Sequence, residues 1–140
     1  MKKIILILIV VFVGFLKNVH AQVPDTLAYL NNVVNKKAFY IGKPFSVLYD
    51  SLKIQIKFFS PFASIHYDKN KETSTSFSFY FPQTVDDMYL VYPMLRISWQ
   101  PYLNAVQSDV LWENNNGGGW SPAVKAFYAP AIIADIQIRE

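Results

Sequence analysis

The chain has 140 residues, 52% of them apolar and none of them cysteine, which suits one small domain held by packing and excludes disulfides, thiolate metal sites and acylation at a cysteine. Its 13 Lys and Arg exceed its 10 Asp and Glu by the three lysines Lys2, Lys3 and Lys17, so residues 22–140 are balanced in charge. A basic surface for nucleic acid or anionic lipid is therefore not expected.

Lys2 and Lys3, the apolar run Ile4–Leu16 and Lys17-Asn18-Val19-His20-Ala21 have the layout of a secretory signal peptide, with cleavage expected after Ala21. As a helix the run reaches roughly 20 Å at about 1.5 Å per residue, short of the roughly 30 Å hydrocarbon core of a bilayer. No stable membrane insertion is expected after cleavage. The expected product is one soluble domain, residues 22–140, periplasmic or secreted. It keeps all but Phe12 and Phe15 of the 11 Phe, 9 Tyr and 3 Trp, and their burial would supply much of the core.

Asp25 reads as a helix cap, and Leu27, Leu30, Val33 and Val34 recur at helical spacing, predicting a helix from Thr26 to Lys37. Gly42 offers a turn. Pro44 fits the first turn of a second helix to about Leu52, burying Phe45 and Leu48. The period then changes: Lys53–Phe58 alternates and predicts a strand with Ile54, Ile56 and Phe58 on one face, interrupted at Pro61. Asp68–Glu72 reads as a charged turn, and Ser76–Phe81 alternates again with Phe77, Phe79 and Phe81 inward, so the two runs are expected to pair antiparallel. Met88–Trp99 is apolar and split by Pro93. Its better strand is Leu95–Trp99, with Leu95, Ile97 and Trp99 on one face, ending at Pro101. Ala105–Glu113 reads as a helix carrying Val106, Val110 and Leu111. Asn114–Gly119 breaks regular structure. Ser121 and Pro122 restart a helix as cap and first residue, Trp120 packing back onto it as a staple, and Ile132–Ile138 reads as the last strand. The order implies an α+β two-layer sandwich, one antiparallel sheet of about four strands with helices packed on one face.

No constellation carries a catalytic signature. His66 is the one imidazole after His20, and no Gly-x-Ser-x-Gly elbow accompanies it. His66, Asp68 and Glu72 offer three metal donors within seven residues, yet a calcium loop would need Gly at Thr73 and Glu at Phe79. A solvated turn is the expectation. Asp86 and Asp87 are adjacent, whereas paired acids in glycoside hydrolysis face each other across a bond. The Asn114–Gly119 run lacks the lysine and hydroxyl of a phosphate loop. Trp99, Trp112 and Trp120 suit stacking on sugar rings, with Asn115 bonding hydroxyls.

The stretches Ala21-Gln22, Tyr40-Ile41-Gly42-Lys43-Pro44-Phe45-Ser46, Ile97-Ser98-Trp99 and Gly119-Trp120-Ser121-Pro122 resemble small uncharacterised secreted proteins of Bacteroidota-type bacteria. The resemblance covers most of residues 22–140 and implies no known activity, so no functional residue is carried over. The function expected is that of a non-enzymatic exported protein without cofactor, binding another envelope protein through strand edges and surplus aromatics. The alternative is a glycan-binding module built on Trp99, Trp112, Asn115 and Trp120. A small hydrolase using Asp86 or Asp87 comes third.

Overall fold

The computed structural model describes residues 25–80 and 92–140. The expected signal segment, Phe81, Asp86, Asp87 and the start of the Met88–Trp99 run lie outside the described residues.

Helix α1 (Thr26–Asn35) starts where Asp25 Oδ1 accepts the Ala28 amide at 2.9 Å, and it turns Leu30 and Val33 inward. A single turn, α2 (Lys37–Tyr40), leads to Gly42, whose φ of +79° suits glycine. Helix α3 (Phe45–Ser51) buries Phe45 and Leu48, with Pro44 as its N-cap rather than inside its first turn. Strands β1 (Phe58–Phe62), β2 (Lys71–Ser78) and β3 (Met94–Asn104) are followed by helices α4 (Ala105–Asn114) and α5 (Pro122–Tyr128) and by β4 (Ile133–Arg139). Ser121 caps α5, and Pro122 opens it.

The four strands form one antiparallel sheet in the order β1-β2-β3-β4. Register places Phe59, Phe77, Leu95 and Ile138 in one row, and Pro61, Thr75, Ile97 and Ile136 in the next, on the face that meets the helices. Leu30, Val33, Phe45, Leu48, Val124 and Tyr128 close over that face in a single core. The fold is α+β, a sheet layered with helices. At its centre Phe45 stacks on Phe77 (4.9 Å between ring centres) and Trp99 on Tyr128 (5.7 Å).

Three strand boundaries differ from those expected. Lys53–Lys57 alternates in burial but is not a strand: β2 ends at Ser78, the partner of Phe58, and no ladder continues past that pair among the described residues. The strand begins at Phe58 and runs through Pro61. It can do so because β1 is an edge strand, where a missing N–H is tolerated. Phe59, not Phe58, is the buried ring. β2 starts at Lys71, so Glu72 is a strand residue rather than part of a charged turn. β3 continues past Pro101 to Asn104: Ser74 pairs with Ser98 but Glu72 with Leu103, and the extra residues of β3 arch outward there, with Gln100–Pro101 cis. Helix α4 also presents its faces differently. Ala105 and Ser108 are buried, while Val106 and Val110 are exposed.

The Asn114–Gly119 run is an ordered part of the fold that seals an edge. Gly118 C=O accepts the Phe59 amide at 2.8 Å, and the Trp120 amide donates to Lys57 C=O at 3.1 Å. Gly118 has φ +109°, and a Cβ there would lie 2.5 Å from Phe58 Cε2 and 2.5 Å from the Phe59 carbonyl oxygen, so only glycine brings the loop this close. On the far side, the Gly42 amide donates to Ile133 C=O at 2.8 Å, and Ile133 N–H to Lys43 C=O at 3.0 Å, which covers the start of β4.

Candidate functional site

One polar cluster lies inside the molecule. The irregularity between Glu72 and Ser74 reverses the facing that strict alternation would give and carries Glu72 into the core, with 0% of its surface exposed. Its Oε1 accepts the Tyr128 hydroxyl at 2.9 Å and the Thr75 hydroxyl, while Thr75 Oγ1 accepts the Trp99 indole N–H at 2.8 Å. Oε2 has no hydrogen-bond partner among the described residues. Burial pushes the carboxyl up from 4.5, against the hydrogen bonds of Thr75 and Tyr128 that pull it down. Burial, and then the charge of Glu72, likewise raise the Tyr128 phenol. The carboxyl is closed to solvent. Its network joins β2, β3 and α5.

The residues singled out from sequence do not gather. Trp99 is 1% exposed and belongs to the core. Trp120 is half-buried, stacking on Tyr49 at 5.7 Å and edge-on to Phe45 and Phe77. Asn115 caps α4, its Nδ2 donating to Leu111 C=O at 2.7 Å, so its amide serves the helix end. Trp112 alone of the three indoles stays exposed, at 39%, with its ring against Gly117. His66 is exposed beside Tyr67, Asp68 pairs with Lys71 at 3.1 Å, and Glu72 points inward, so the three donors do not converge. A recess of about 370 Å³ at the β3 arch is lined by Lys71, Gln100, Pro101 and Tyr102 and carries no acid.

No family model, curated protein or solved structure matches the chain. What the chain offers a partner is thus read from its own surface.

The face of the sheet turned away from the core carries the second cluster. Register aligns Ser60, Ser76, Arg96 and Gln137 in one row, and Phe62, Ser74, Ser98 and Asp135 in the next. The guanidinium of Arg96 lies 5.1 Å from the centre of the Phe62 ring, and between them Ser74 and Ser76 sink to near-complete burial. Phe62 remains 48% exposed. Arg96 Nε is buried without an acceptor among the described residues. Burial first, and Arg139 second, make the Arg96 charge less favourable than usual. Asp135, the acid of this face, is engaged by Lys37 at 2.7 Å and by the Gln137 amide at 2.9 Å. Those bonds hold its carboxyl below the ordinary range, that of Lys37 contributing most.

Proposed function

We propose that the protein is a non-enzymatic exported domain that holds a partner protein on this outer sheet face. Export rests on the basic, apolar and small-residue layout of residues 1–21. The binding role rests on one observation: an aromatic ring that is 48% exposed and the partly exposed side chain of Arg96 stand together on a sheet face that the described helices leave uncovered. Aromatic residues and arginine are the types enriched where interfaces concentrate their energy.

The test is site-specific photo-cross-linking in the producing cell, with benzoylphenylalanine in place of Phe62 and, as control, of exposed Val106 on α4. A defined protein adduct from position 62 and none from position 106 is the expected outcome. No adduct from position 62 refutes the reading.

A further inference from the structure

We infer that Arg96 anchors a carboxylate of the partner polypeptide, so that the outer sheet face takes an acidic peptide segment carrying an apolar neighbour for Phe62. The inference rests on the binding role proposed above and specifies its chemistry.

The placement of Arg96 carries it. In register, Arg96 sits between Ser76 on β2 and Gln137 on β4, and Ser98 follows on its own strand and face. Arg139 is the diagonal neighbour on β4, about 7–8 Å away by sheet geometry. A second cation, two hydroxyls and one amide thus occupy the register positions next to Arg96 on this face. Asp135 does not balance them, since Lys37 and Gln137 already hold it, and no carboxylate among the described residues pairs with Arg96. Arg96 Nε–H is buried without an acceptor among the described residues, so the guanidinium lacks one of the bonds its charge calls for, and what it offers a partner's oxyanion is the part of this side chain that stays in water. The fork of a guanidinium fits a carboxylate through two parallel hydrogen bonds, with serine hydroxyls as further donors. The ring of Phe62 supports the guanidinium from one side and leaves half its own surface for an apolar side chain. This pairing of charge and exposed ring selects an acidic residue within a peptide over a free ion, which would leave the ring wet.

The probes are the peptides Ac-Gly-Phe-Asp-Phe-Gly-NH2 and its Asn counterpart, titrated into the isotopically labelled protein and followed by NMR. The Asp peptide is expected to shift the amides of Ser76, Ser98 and Gln137, and the Asn peptide to bind at least about tenfold more weakly. Arg96→Gln should lose about tenfold or more, and Arg96→Lys should recover only part of it, because an ammonium lacks the fork. Unchanged core tryptophan emission confirms that each variant is folded. Equal binding of the two peptides, undiminished binding by Arg96→Gln, or tighter binding of inorganic phosphate than of the Asp peptide would each overturn the inference. The cross-linking experiment separates the two levels. An adduct at position 62 that survives Arg96→Gln removes the carboxylate anchor and leaves the binding role standing, whereas no adduct in the unsubstituted background removes the binding role itself.

Discussion

Replacing Glu72 by Gln tests whether the core holds a neutral acid. The unfolded carboxyl ionises near 4.5, and burial in the folded chain raises that value. Above 4.5 the folded state therefore binds more protons than the unfolded one, and stability falls as pH rises until the raised folded value is passed. Full separation of the two states corresponds to about 1.4 kcal/mol lost per pH unit. The glutamine side chain keeps an oxygen for the Tyr128 and Thr75 hydroxyls but has no proton to lose, so this slope should vanish in Glu72→Gln. At low pH the variant should be slightly less stable, by about 1–3 kcal/mol, because its amide N–H groups face the place where Oε2 has no partner among the described residues. Glu72→Ala should do worse at every pH, since it strands two buried hydroxyl donors at about 1–3 kcal/mol each. Urea unfolding from about pH 4.5 to 8, read by tryptophan fluorescence, measures all three chains. Parallel pH profiles for the parent and Glu72→Gln would show that Glu72 ionises as freely inside the fold as outside it, and the reasoning would fail.

Gly118→Ala should destabilise by roughly 3 kcal/mol or more, since its Cβ meets the Phe58 ring and Phe59 carbonyl at 2.5 Å. Calorimetry measures the loss, and light scattering should detect association through the freed β1 edge. Iodide should quench Trp112 and leave Trp99 untouched; quenching that persists in Trp112→Phe at parent strength would contradict the burial of Trp99 and the half-burial of Trp120. Lys37→Ala should change stability by less than about 1 kcal/mol, because the Lys37–Asp135 pair is 40% and 32% exposed. Its contribution is present at neutral pH and is lost as pH falls through the depressed Asp135 value, so parent and variant should converge in acid.

The helices are readable in the sequence because their ends are marked by side-chain chemistry: Asp25 and Ser121 cap as their positions predict, and Leu30, Phe45 and Leu48 keep helical spacing. The facing of α4 is not, because hydrophobicity favours Val106 and Val110 inward, whereas the helix turns in Ala105 and Ser108, whose hydroxyl is satisfied by the Ala105 carbonyl of its own turn. Pattern alone misplaces β1, because Lys53–Lys57 alternates more cleanly than the Pro-containing strand that follows. Alternation records burial, and a ladder also requires a partner. The outer face is half legible. Ser76, Arg96, Ser98 and Gln137 each occupy the polar position of an alternating run, but only register brings them into neighbouring places.

The loop that seals β1 comes from a part of the chain made long after β1 itself, and this gives assembly an order. During synthesis the β1–β2–β3 meander can pair before residues 118–120 exist, and throughout that interval the amide of Phe59 and carbonyl of Lys57 face an open edge. Closure then falls to Gly118 and Trp120, which arrive together with α5 and its Tyr128, the residue that also reaches Glu72. The stretch from Gly118 to Tyr128 acts as the latch for the first strand. A chain truncated before Gly118 would be not a smaller domain but a sticky one, so any route that delivers this protein folded must guard it until the last helix is in place.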